Sequence, residues 1–477
     1  MVMGEQTLKT QVAVIGGGVG GYAAAFRAAD LGLEVALINQ EERLGGVCLL
    51  RGCIPSKTLL EVTRLIHEAR EAREWGVDFG EPEIDLEGLR SWKEQVSTRL
   101  VRGLDILADR REVQLIQARA VFEGPDRLRL QSADLAHVQF EHAVIATGSV
   151  PIALSGTEFK PGARVMDAAA ALELPDIPER LLVVGAGYVG MELGSVYATL
   201  GSRVTIVEML DGLLPNVDRD LVRPLARRAE RVFQAIYLNT RVANLDERDD
   251  EVVVTLEGDL DEPEQTFDRV LVAVGRRANS QDLGLEHTGV AVDDRGLVNV
   301  DEQMRTADER IFAVGDVVGA PMLAHKAMHE GKVAAEVIAG QAAAFDVRCV
   351  PAVVYTDPEI AWCGLSVEEA EAQGREVGVG RFPWGASGRA RTLGEAEGLT
   401  KMVFESDTGR VVGIGIVGEG AEGMISEGAL AIEMGAVAQD LALTVHPHPT
   451  LSETESEAAE AFLGLSTHII SRRSPKR

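Results

Sequence analysis

The stretch QVAVIGGGVGGYAAAFRAADLGLEVALIN, residues 11–39, decides the fold of this 477-residue chain. An apolar run leads into Gly16, Gly18 and Gly21, spaced G-x-G-x-x-G, and a helical pattern and a second apolar run follow. In such a unit the first glycine allows a tight turn and the second lets backbone approach a pyrophosphate at a helix N-terminus. The third lets the helix pack closely on the strand. The stretch therefore predicts a βαβ unit that binds a dinucleotide.

The same arrangement occurs again in LLVVGAGYVGMELGSVYATLGSRVTIVE, residues 181–208, with Gly185, Gly187 and Gly190. One glycine-rich turn is a weak indication, because such turns are common. Here both copies follow an apolar run, open a helix and return to a second strand. The repeat predicts two dinucleotides bound by one chain.

The residue that ends the second strand differs between the two copies. In the second copy it is Glu208, whose carboxylate accepts hydrogen bonds from a ribose 2′-OH and repels a 2′-phosphate. The following MLDGLLP has no Arg or Lys to hold such a phosphate, so NAD is favoured over NADP. In the first copy the equivalent residue is Asn39, which we expect to bond a ribose less strongly, with Glu41 compensating.

Composition limits the class of protein. An apolar content of 46% with only 4% aromatics, and 50 glycines, suits α/β units, and the length calls for several domains. A formal charge of −28 disfavours nucleic acid and anionic membranes as partners, although a basic protein partner is compatible with it. No run reaches the roughly 18 apolar residues of a membrane span. Without a signal-peptide pattern at the start, we expect a cytoplasmic protein.

The segment GGVCLLRGCIPSK, residues 45–57, contains Cys48 and Cys53. A zinc site would need a second Cys or His pair, and Cys349 and Cys363 are expected to be isolated from each other. A structural disulfide across so short a loop would stabilise little. A redox-active dithiol and two small buried residues both remain possible at this point, and a reducing cytosol favours the dithiol.

Three further segments place a glycine after an apolar strand: HAVIATGSVP at 142–151, RVLVAVGRRAN at 269–279 and RIFAVGDVVGAPMLAHKAMHEG at 310–331. The last delivers Asp316, whose carboxylate either accepts hydrogen bonds from a polyol or caps the next helix. A mostly helical stretch occupies about 57–110. From about Val350 strands alternate with helices, which predicts an α+β domain.

These motifs together resemble the flavin disulfide reductases, and in detail the dihydrolipoamide dehydrogenases, from about residue 10 to about 465. GGVCLLRGCIPSK is similar to that family's redox motif, AVGDVVGAPMLAHKA to its second flavin motif, and HPHPTLSE at 446–453 to its active-site signature. Leu50 replaces an asparagine of the family and Asn39 replaces a flavin-side acid. Neither change removes a chemically essential group.

The resemblance implies an α/β protein with two Rossmann-like dinucleotide-binding domains and a C-terminal α+β dimerisation domain. We expect an FAD-binding domain at 1–150, interrupted by the helical insertion at about 57–110, and an NAD-binding domain at 151–279. A central domain at 280–349 would complete the FAD site, and 350–477 would form the interface. No metal is expected.

The resemblance also implies the roles of the reactive residues. Cys53 would face the flavin and form a charge-transfer complex with it, and Cys48 would be the exposed interchange thiol. In a regular helix, positions five apart are separated by about 7.5 Å of rise, too far for a disulfide, so the pair needs an irregular helix start. His448 would be the general base, oriented by Glu453, with His446 beside it not catalytic. This segment would serve the other subunit, which implies an obligate homodimer.

The cofactor residues follow from the same motifs. Those expected to hold FAD are Gly16, Gly18, Gly21, Asn39, Gly46, Lys57, Ala120, Thr147, Gly148, Asp316 and Ala324. Those expected on the NAD side are Gly185, Gly187, Tyr188, Gly190, Glu192, Glu208, Val242 and Gly275. Tyr188 would cover the flavin until nicotinamide displaces it, and Glu192 would partner Lys57.

The implied activity is oxidation of protein-bound dihydrolipoyl groups with NAD⁺, on lipoyl-carrying domains and with a basic subunit-binding domain as a further partner. Glutathione and mycothiol reductases are alternatives, but they normally use NADPH, which Glu208 disfavours. Mercuric reductase and high-molecular-weight thioredoxin reductase need a further C-terminal cysteine pair, and no cysteine follows Cys363. Soluble transhydrogenase lacks the redox pair. A docking subunit would not need C-x4-C and HPHPTLSE.

Overall fold

The computed structural model describes residues 6–131, 135–394 and 396–470. The predicted first and last domains also include residues 1–5 and 471–477, which lie outside the described residues. The described chain divides into two compact units. Unit 1 comprises residues 6–61, 83–176 without 132–134, and 272–346, and unit 2 comprises 62–82, 177–271 and 347–470 without 395. The four domain bounds given above stay predictions.

Strands and helices are numbered in chain order. The strands are β1 (Thr7–Ile15), β2 (Val35–Asn39), β3 (Gln114–Gln117), β4 (Arg119–Gly124), β5 (Arg127–Gln131), β6 (His137–Ile145), β7 (Ser149–Pro151), β8 (Val165–Met166), β9 (Arg180–Val184), β10 (Arg203–Val207), β11 (Ala235–Tyr237), β12 (Arg241–Glu247), β13 (Val252–Glu257), β14 (Glu264–Phe267), β15 (Arg269–Val272), β16 (Arg276–Ala278), β17 (Ile311–Ala313), β18 (Ala352–Val354), β19 (Ile360–Gly364), β20 (Val377–Pro383), β21 (Leu399–Glu405) and β22 (Val411–Val417).

The α-helices are α1 (Val19–Asp30), α2 (Gly46–Arg51), α3 (Cys53–Glu71), α4 (Leu86–Arg110), α5 (Ala168–Leu172), α6 (Tyr188–Leu200), α7 (Arg219–Val232), α8 (Ala324–Ile338), α9 (Val367–Ala372), α10 (Gly388–Leu393), α11 (Ala421–Met434), α12 (Ala438–Leu443) and α13 (Glu453–Leu463). Short 3₁₀ turns occur at Ala72–Trp75, Leu285–His287, Gly315–Val318 and Trp384–Ala386.

Unit 1 is built on a sheet with the strand order β3-β2-β1-β6-β5-β4, to which β17 adds by pairing with β6. Strands β1, β2, β3, β6 and β17 run parallel, and β4 and β5 are antiparallel additions. Alternate residues of β1 face opposite layers, because side chains in a strand alternate between faces. Val12 and Val14 pack with helices α1 and α8, and Ala13 and Ile15 pack with β4 and β5.

Unit 2 contains three separate sheets. Parallel strands carry the second glycine motif, with the order β11-β10-β9 and β15 beside β9. Strands β12, β13 and β14 form an antiparallel sheet. The last sheet is antiparallel with the order β18-β19-β22-β21-β20, and α11, α12 and α13 share its apolar core. Two βαβ units and a C-terminal α+β domain confirm the predicted fold class.

Membrane spanning can be checked on the helices directly. None of the helices within the described residues combines the length and the apolar character that a bilayer span requires.

Candidate active site

The first glycine loop leaves space for a phosphate because side chains are excluded from it. Gly16 has φ +109°, and a Cβ there would lie 2.3 Å from the carbonyl oxygen of Ala146. A Cβ on Gly21 would lie 1.8 Å from the carbonyl oxygen of Gly16. Gly18 is the N-cap of helix α1 and makes no side-chain cap. Close backbone approach and an uncapped helix N-terminus fit a pyrophosphate, as FAD would require.

Gly45 and Gly46 pack directly onto this loop. The Gly45 amide donates to the Gly17 carbonyl at 2.8 Å, and a Cβ on Gly46 would lie 2.7 Å from the Cα of Gly18. Gly45 was not among the predicted site residues, although the glycine pair in its motif could have indicated it. The contact places helix α2, and Cys48 within it, against the first glycine loop.

The two cysteines of the C-x4-C motif meet across a broken helix. Helix α2 ends at Arg51, Gly52 has φ −148° and ψ −114°, and helix α3 begins at Cys53. The thiols of Cys48 and Cys53 are hydrogen-bonded to each other, and this contact, with burial, raises the pKa of Cys48, while Lys57 lowers it. The irregular helix start that pairing requires is therefore present.

The exposure of Cys48 differs from the prediction. Cys48, expected to be the exposed thiol, is half-buried, and Cys53, expected to face the flavin, is exposed. The reason is local, since Cys48 lies inside α2 while Cys53 lies at the turn that opens α3. The exchange and flavin-facing roles of the two thiols stay predictions.

Tyr22 lies close to the dithiol and was missed by the motifs. It follows Gly21 on helix α1, and burial together with the charges of Cys48 and Cys53 raises the pKa of its phenol. A tyrosine directly after the third glycine is the signal that could have indicated it.

Asp316 lies in the 3₁₀ turn after β17 and does not cap helix α8, whose N-cap is Leu323. Its carboxylate accepts a hydrogen bond from the Ser149 hydroxyl, and that hydroxyl accepts one from Nε of Arg276 at 2.7 Å. Ser149 and Arg276 thus fix the carboxylate. Neither was predicted, because 127 residues separate them.

Asn279 is hydrogen-bonded to both Thr147 and Gly148. The Thr147 hydroxyl donates to the Asn279 carbonyl at 2.7 Å, and the Asn279 amide donates to the Gly148 carbonyl at 2.9 Å. Gly148 has φ +71°. Residues 146–149 and 275–279 of unit 1 thus lie together. Strands β7 and β16, which these segments enter, pair with each other.

The side-chain amide of Asn39 forms hydrogen bonds with backbone groups of the protein. Its Oδ1 accepts from the Gly17 amide at 3.1 Å, and its Nδ2 donates to the carbonyls of Glu41 at 2.8 Å and Arg43 at 3.0 Å. The Glu41 carboxylate pairs with Arg51. Both amide protons of Asn39 are therefore bonded within the protein, and the binding of a ribose by Asn39 and Glu41 stays a prediction. Oδ1 retains one lone pair.

The second glycine loop has the geometry of the first. Gly185 has φ +102°, and a Cβ on Gly190 would lie 2.0 Å from the carbonyl oxygen of Gly185. Gly187 begins helix α6 without a side-chain cap, and a Cβ there would meet open space. These features fit a second pyrophosphate, as NAD would require.

Glu208 is held rigidly at the end of β10. It is 9% exposed, its Oε2 accepts from the Ala186 amide at 2.7 Å and its Oε1 from the Leu210 amide at 2.9 Å. The first cation after it, Arg219, donates instead to loop carbonyls, including that of Leu213 at 2.8 Å. An oriented carboxylate and a committed cation together disfavour a 2′-phosphate.

The remaining predicted residues lie in different places. Glu192 is buried on α6, where its Oε1 accepts from the Tyr355 amide at 3.0 Å within unit 2, and Lys57 belongs to unit 1. The partnership of those two residues stays a prediction. Gly275 belongs to unit 1, where its carbonyl accepts from the Ile152 amide at 3.1 Å, and so lies outside the unit that contains Glu208.

Three of the predicted cofactor residues have apolar side chains, so they could contribute only backbone groups or packing. Ala120 is a buried residue of β4 and Ala324 is the first residue of α8. Val242 lies on β12, two residues after Thr240, whose amide donates to the Glu208 carbonyl at 2.9 Å. Tyr188 is 43% exposed at the start of α6.

His448 and Glu453 form a base and its orienting group. Nδ1 of His448 lies 2.8 Å from Oε1 of Glu453, and Oε2 of Glu453 accepts from the Thr450 amide at 2.7 Å. Burial raises the pKa of Glu453, but the bonds from Thr450 and His448 outweigh it, so the carboxyl pKa lies below its usual value. Because a carboxylate only accepts, neutral His448 carries its proton on Nδ1 and presents the Nε2 lone pair.

His446 is held in a different way. Its Nε2 lies 2.8 Å from Oε1 of Glu427 and its Nδ1 lies 3.0 Å from the Thr444 carbonyl, and its side chain is 7% exposed. The His448 side chain is 75% exposed. Of the two histidines, only His448 combines an oriented ring with access to solvent.

Cys349 and Cys363 were expected to be isolated, and this expectation is wrong. Their thiols are hydrogen-bonded to each other in the C-terminal domain. Cys363 is buried on β19 and Cys349 is half-buried shortly before β18. The antiparallel pairing of β18 with β19 brings the end of β19 back beside the residues that precede β18. The spacing of the two cysteines in the sequence did not indicate this pairing.

Comparison with known proteins identifies two family models along the chain. Residues 10–331 match the family model described as pyridine nucleotide-disulphide oxidoreductase, and residues 350–459 match the dimerisation domain of that family.

Several relatives are similar over their full length. Dihydrolipoyl dehydrogenase of Vibrio parahaemolyticus is 44% identical over 475 residues, which cover 99% of this chain and 100% of the relative. Dihydrolipoyl dehydrogenase of Halobacterium salinarum is 44% identical over 477 residues with the same coverage.

Among solved structures, LpdA of Mycobacterium tuberculosis has a TM-score of 0.87 and 27% identity, covering 94% of this chain and 99% of its own. The HOCl-induced flavoprotein disulfide reductase RclA of Escherichia coli has a TM-score of 0.83 and 26% identity, covering 94% of this chain and 99% of its own.

Proposed function

The chain belongs to the pyridine nucleotide-disulphide oxidoreductases, and we propose that it oxidises protein-bound dihydrolipoyl groups to lipoyl groups with NAD⁺ as the acceptor. It is a disulfide oxidoreductase that uses FAD and NAD, and its dimerisation domain makes it a homodimer. The resemblance noted from its motifs is confirmed. The observation that carries the proposal is the hydrogen-bonded Cys48–Cys53 pair, held against the first glycine loop by Gly45 and Gly46.

The dithiol supplies the electron acceptor when it is oxidised to a disulfide. One dihydrolipoyl thiol loses its proton to Nε2 of His448, and the resulting thiolate attacks the Cys48 sulfur, releasing Cys53 as a thiolate. The second dihydrolipoyl thiol is deprotonated and displaces Cys48, which closes the lipoyl disulfide and leaves both cysteines reduced. FAD, when bound, would supply the two-electron chemistry that connects the reduced dithiol to NAD⁺.

The residues that would hold the cofactors are those of the two loops. Gly16, Gly18 and Gly21 leave room for the FAD pyrophosphate, while Asp316 presents a carboxylate fixed by Ser149. Gly185, Gly187 and Gly190 would accept NAD, and Glu208 would receive its ribose hydroxyls.

His448 is suited to proton transfer by its geometry. Glu453 fixes the ring through Nδ1 and stabilises the imidazolium that forms, and the exposed Nε2 meets the substrate thiol. We propose that this ring serves the dithiol of the partner subunit, which makes the dimer obligate. Lipoyl-carrying protein domains are the proposed substrates, and the charge of −28 suits a basic subunit-binding domain as a further partner.

We also propose a cytoplasmic location. A redox dithiol and only four cysteines in 477 residues suit a reducing compartment.

Replacement of His448 tests the base. His448→Gln should lose dihydrolipoamide turnover by roughly 10²–10⁴-fold, the range of general base catalysis. Flavin content and NADH-driven reduction of an artificial dye should survive, because neither step uses this base. His446→Gln is the matched control and should retain most of the turnover. Full activity in His448→Gln would overturn the assignment of the base.

Mixed dimers test the shared site. A heterodimer of a Cys48→Ser chain with a His448→Gln chain has one doubly damaged site and one intact site if the histidine acts on the partner. It should recover about half of the wild-type activity from two nearly inactive parents. Activity no higher than that of the parents would show that each histidine serves its own chain. Turnover of oxidised glutathione with NADPH, without dihydrolipoamide activity, would overturn the proposed reaction itself.

A further inference from the structure

A second pair of thiols lies at the base of a β-hairpin in the C-terminal domain. Strands β18 and β19 are antiparallel, with Ala352 opposite Trp362 and Val354 opposite Ile360. Cys363 follows Trp362 on β19, and Cys349 lies three residues before β18. Hydrogen bonding between the two thiols therefore closes the open end of the hairpin.

The tip of this hairpin contacts one residue of helix α6 and one residue of helix α7, both within unit 2. The Tyr355 amide donates to Oε1 of Glu192 on α6 at 3.0 Å. The Asp357 carboxylate pairs with Arg228 on α7 at 2.7 Å. The tip of the hairpin therefore contacts both α6 and α7.

The two thiols are unequal. Hydrogen bonding to Cys363 lowers the pKa of Cys349 despite opposing effects of burial and of the Glu433 charge. The same bond, burial and the charges of Cys349 and Glu455 raise the pKa of Cys363. Cys349 is half-buried while Cys363 is 2% exposed, so Cys349 is the thiol that a reagent reaches first.

Glu455 adds to this difference from the interior of the domain. It is fully buried on α13, and neither carboxyl oxygen has a hydrogen-bond partner among the described residues. Burial, with the charge of Glu427, raises the pKa of Glu455 well above its usual value, so the interior beside Cys363 disfavours negative charge.

We propose that Cys349 and Cys363 form a second oxidisable dithiol, a modification site at which a small-molecule disulfide converts the pair into a staple across the hairpin base. The Cys349 thiolate attacks one sulfur of the reagent, forming a mixed disulfide and releasing one reagent thiolate. Cys363 then loses its proton and attacks the Cys349 sulfur, which releases the second thiolate. Two cysteine thiols are oxidised, and one disulfide is reduced to two thiols.

The staple constrains the hairpin and is separate from the catalytic pair. It fixes residue 349, where the chain enters the last domain, to the second strand of that domain's sheet. A covalent link there removes conformations that let the tip open away from Glu192. The oxidised protein should therefore unfold at a higher temperature and exchange the Tyr355 amide more slowly.

Peptide mapping can distinguish the two dithiols. Trypsin leaves Cys349 and Cys363 together on peptide 349–375, and it separates Cys48 onto 44–51 and Cys53 onto 52–57. The FAD-loaded protein is treated with bis(2-hydroxyethyl) disulfide, unfolded under acid, alkylated and digested. We expect peptide 349–375 to be lighter by two hydrogens, unalkylated, and restored by reductant.

Cys349→Ser provides the control, because it removes one thiol of the pair and keeps a side chain of similar size. In this variant the oxidant should leave the Cys363 thiol free for alkylation after unfolding, and dihydrolipoamide turnover should stay at the wild-type level before oxidation. Full alkylation of both cysteines in wild-type peptide 349–375, under conditions that link 44–51 to 52–57, would overturn the proposal.

Hydrogen exchange tests the consequence at the tip. Exchange of the Tyr355 amide should slow several-fold on oxidation of the wild type and remain unchanged in oxidised Cys349→Ser, which still forms the Cys48–Cys53 disulfide. Equal slowing in both proteins would assign the effect to the catalytic pair and overturn the staple.

Discussion

The two glycine loops of this protein share a backbone and differ in what surrounds it. Gly16 and Gly185 have φ angles of +109° and +102°, and Cβ atoms on Gly21 and Gly190 would lie 1.8 and 2.0 Å from the carbonyl oxygen of the first glycine. The turn and the close helix–strand contact are therefore nearly identical. Differences in cofactor must arise outside the glycines.

The end of the second strand is one such difference. Asn39 accepts from the Gly17 amide and donates to two loop carbonyls, so it is neutral and satisfied by the protein. Glu208 accepts from the equivalent Ala186 amide and from Leu210, and donates nothing. The same amide position is thus bonded by a neutral group in one copy and by an anion in the other. Selection against a 2′-phosphate is confined to the second copy.

Helix packing is the other difference. In the first copy helix α1 crosses α8 so closely that a Cβ on Gly331 would lie 2.4 Å from the carbonyl oxygen of Gly20. The equivalent position in the second copy is Val189, which is half-buried. The first loop is fixed between two helices and the sheet, as suits a permanently bound cofactor. The second copy has a β-branched side chain, Val189, at the position of Gly20.

The largest effect should come from exchanging the strand-end residues. Wild type should prefer NAD over NADP by at least roughly 10²-fold in catalytic efficiency, because a buried carboxylate beside a 2′-phosphate is repelled without a cation to offset it. Glu208→Asn should reduce this preference by about tenfold or more. Asn39→Asp should leave it unchanged. Steady-state kinetics with both nucleotides measures this, and comparable efficiencies in wild type would remove the electrostatic difference between the copies.

The second largest effect should come from adding a side-chain atom at the contact between helices α1 and α8 in the first copy. Gly331→Ala pushes a methyl group into the Gly20 backbone and should destabilise unit 1 by about 1–3 kcal/mol, with loss of flavin. Val189→Ala shortens the side chain at the second-copy position equivalent to Gly20 and should retain flavin. Thermal unfolding and flavin absorbance measure the outcome. An unchanged flavin content and unfolding temperature in Gly331→Ala would mean that the crossing does not fix the first loop.

Adding a methyl group to either glycine loop should weaken the binding of one cofactor and leave the binding of the other unchanged. Gly18 and Gly187 have extended backbone angles, and a Cβ at either position meets no atom closer than 3.9 Å, so alanine should fold at both. The methyl group would occupy the space of a pyrophosphate and weaken binding by about tenfold. Gly18→Ala should release flavin on dilution, and Gly187→Ala should raise the KM for NAD alone. The opposite pattern would reverse the assignment of the loops.

The smallest effect should come from changing one atom at each strand end. Asn39→Asp turns two donated hydrogen bonds into contacts between a carboxylate and the carbonyls of Glu41 and Arg43, costing about 1 kcal/mol. Glu208→Gln places an amide group against a backbone N–H and should cost a similar amount. Calorimetric unfolding of both variants measures this. An Asn39→Asp protein as stable as wild type would show that its amide is not needed inside the loop.

Local sequence was sufficient for several of these features. Both βαβ units were predictable because a tight turn and close packing restrict the residue type to glycine at fixed spacing, whatever the rest of the chain does. The position of the C-x4-C dithiol and the preference implied by Glu208 depend on short segments as well. The need for an irregular helix start followed from helix geometry, and Gly52 provides it.

Contacts between residues distant in sequence were not predictable. The commitment of Asn39 to its own loop depends on how residues 41–43 fold back, and the role of Ser149 depends on Arg276, 127 residues away. The exposure order of Cys48 and Cys53 depends on how α2 packs.

The amino-acid sequence by itself determined the two dinucleotide folds, the dithiol and the histidine motif, because each is encoded by neighbouring residues with strict steric or chemical demands. Only the tertiary structure showed what holds each histidine, because that depends on Glu427 binding His446 and Glu453 orienting His448. It also decided that Cys349 and Cys363 meet, because strand pairing closes a distance that spacing alone leaves open.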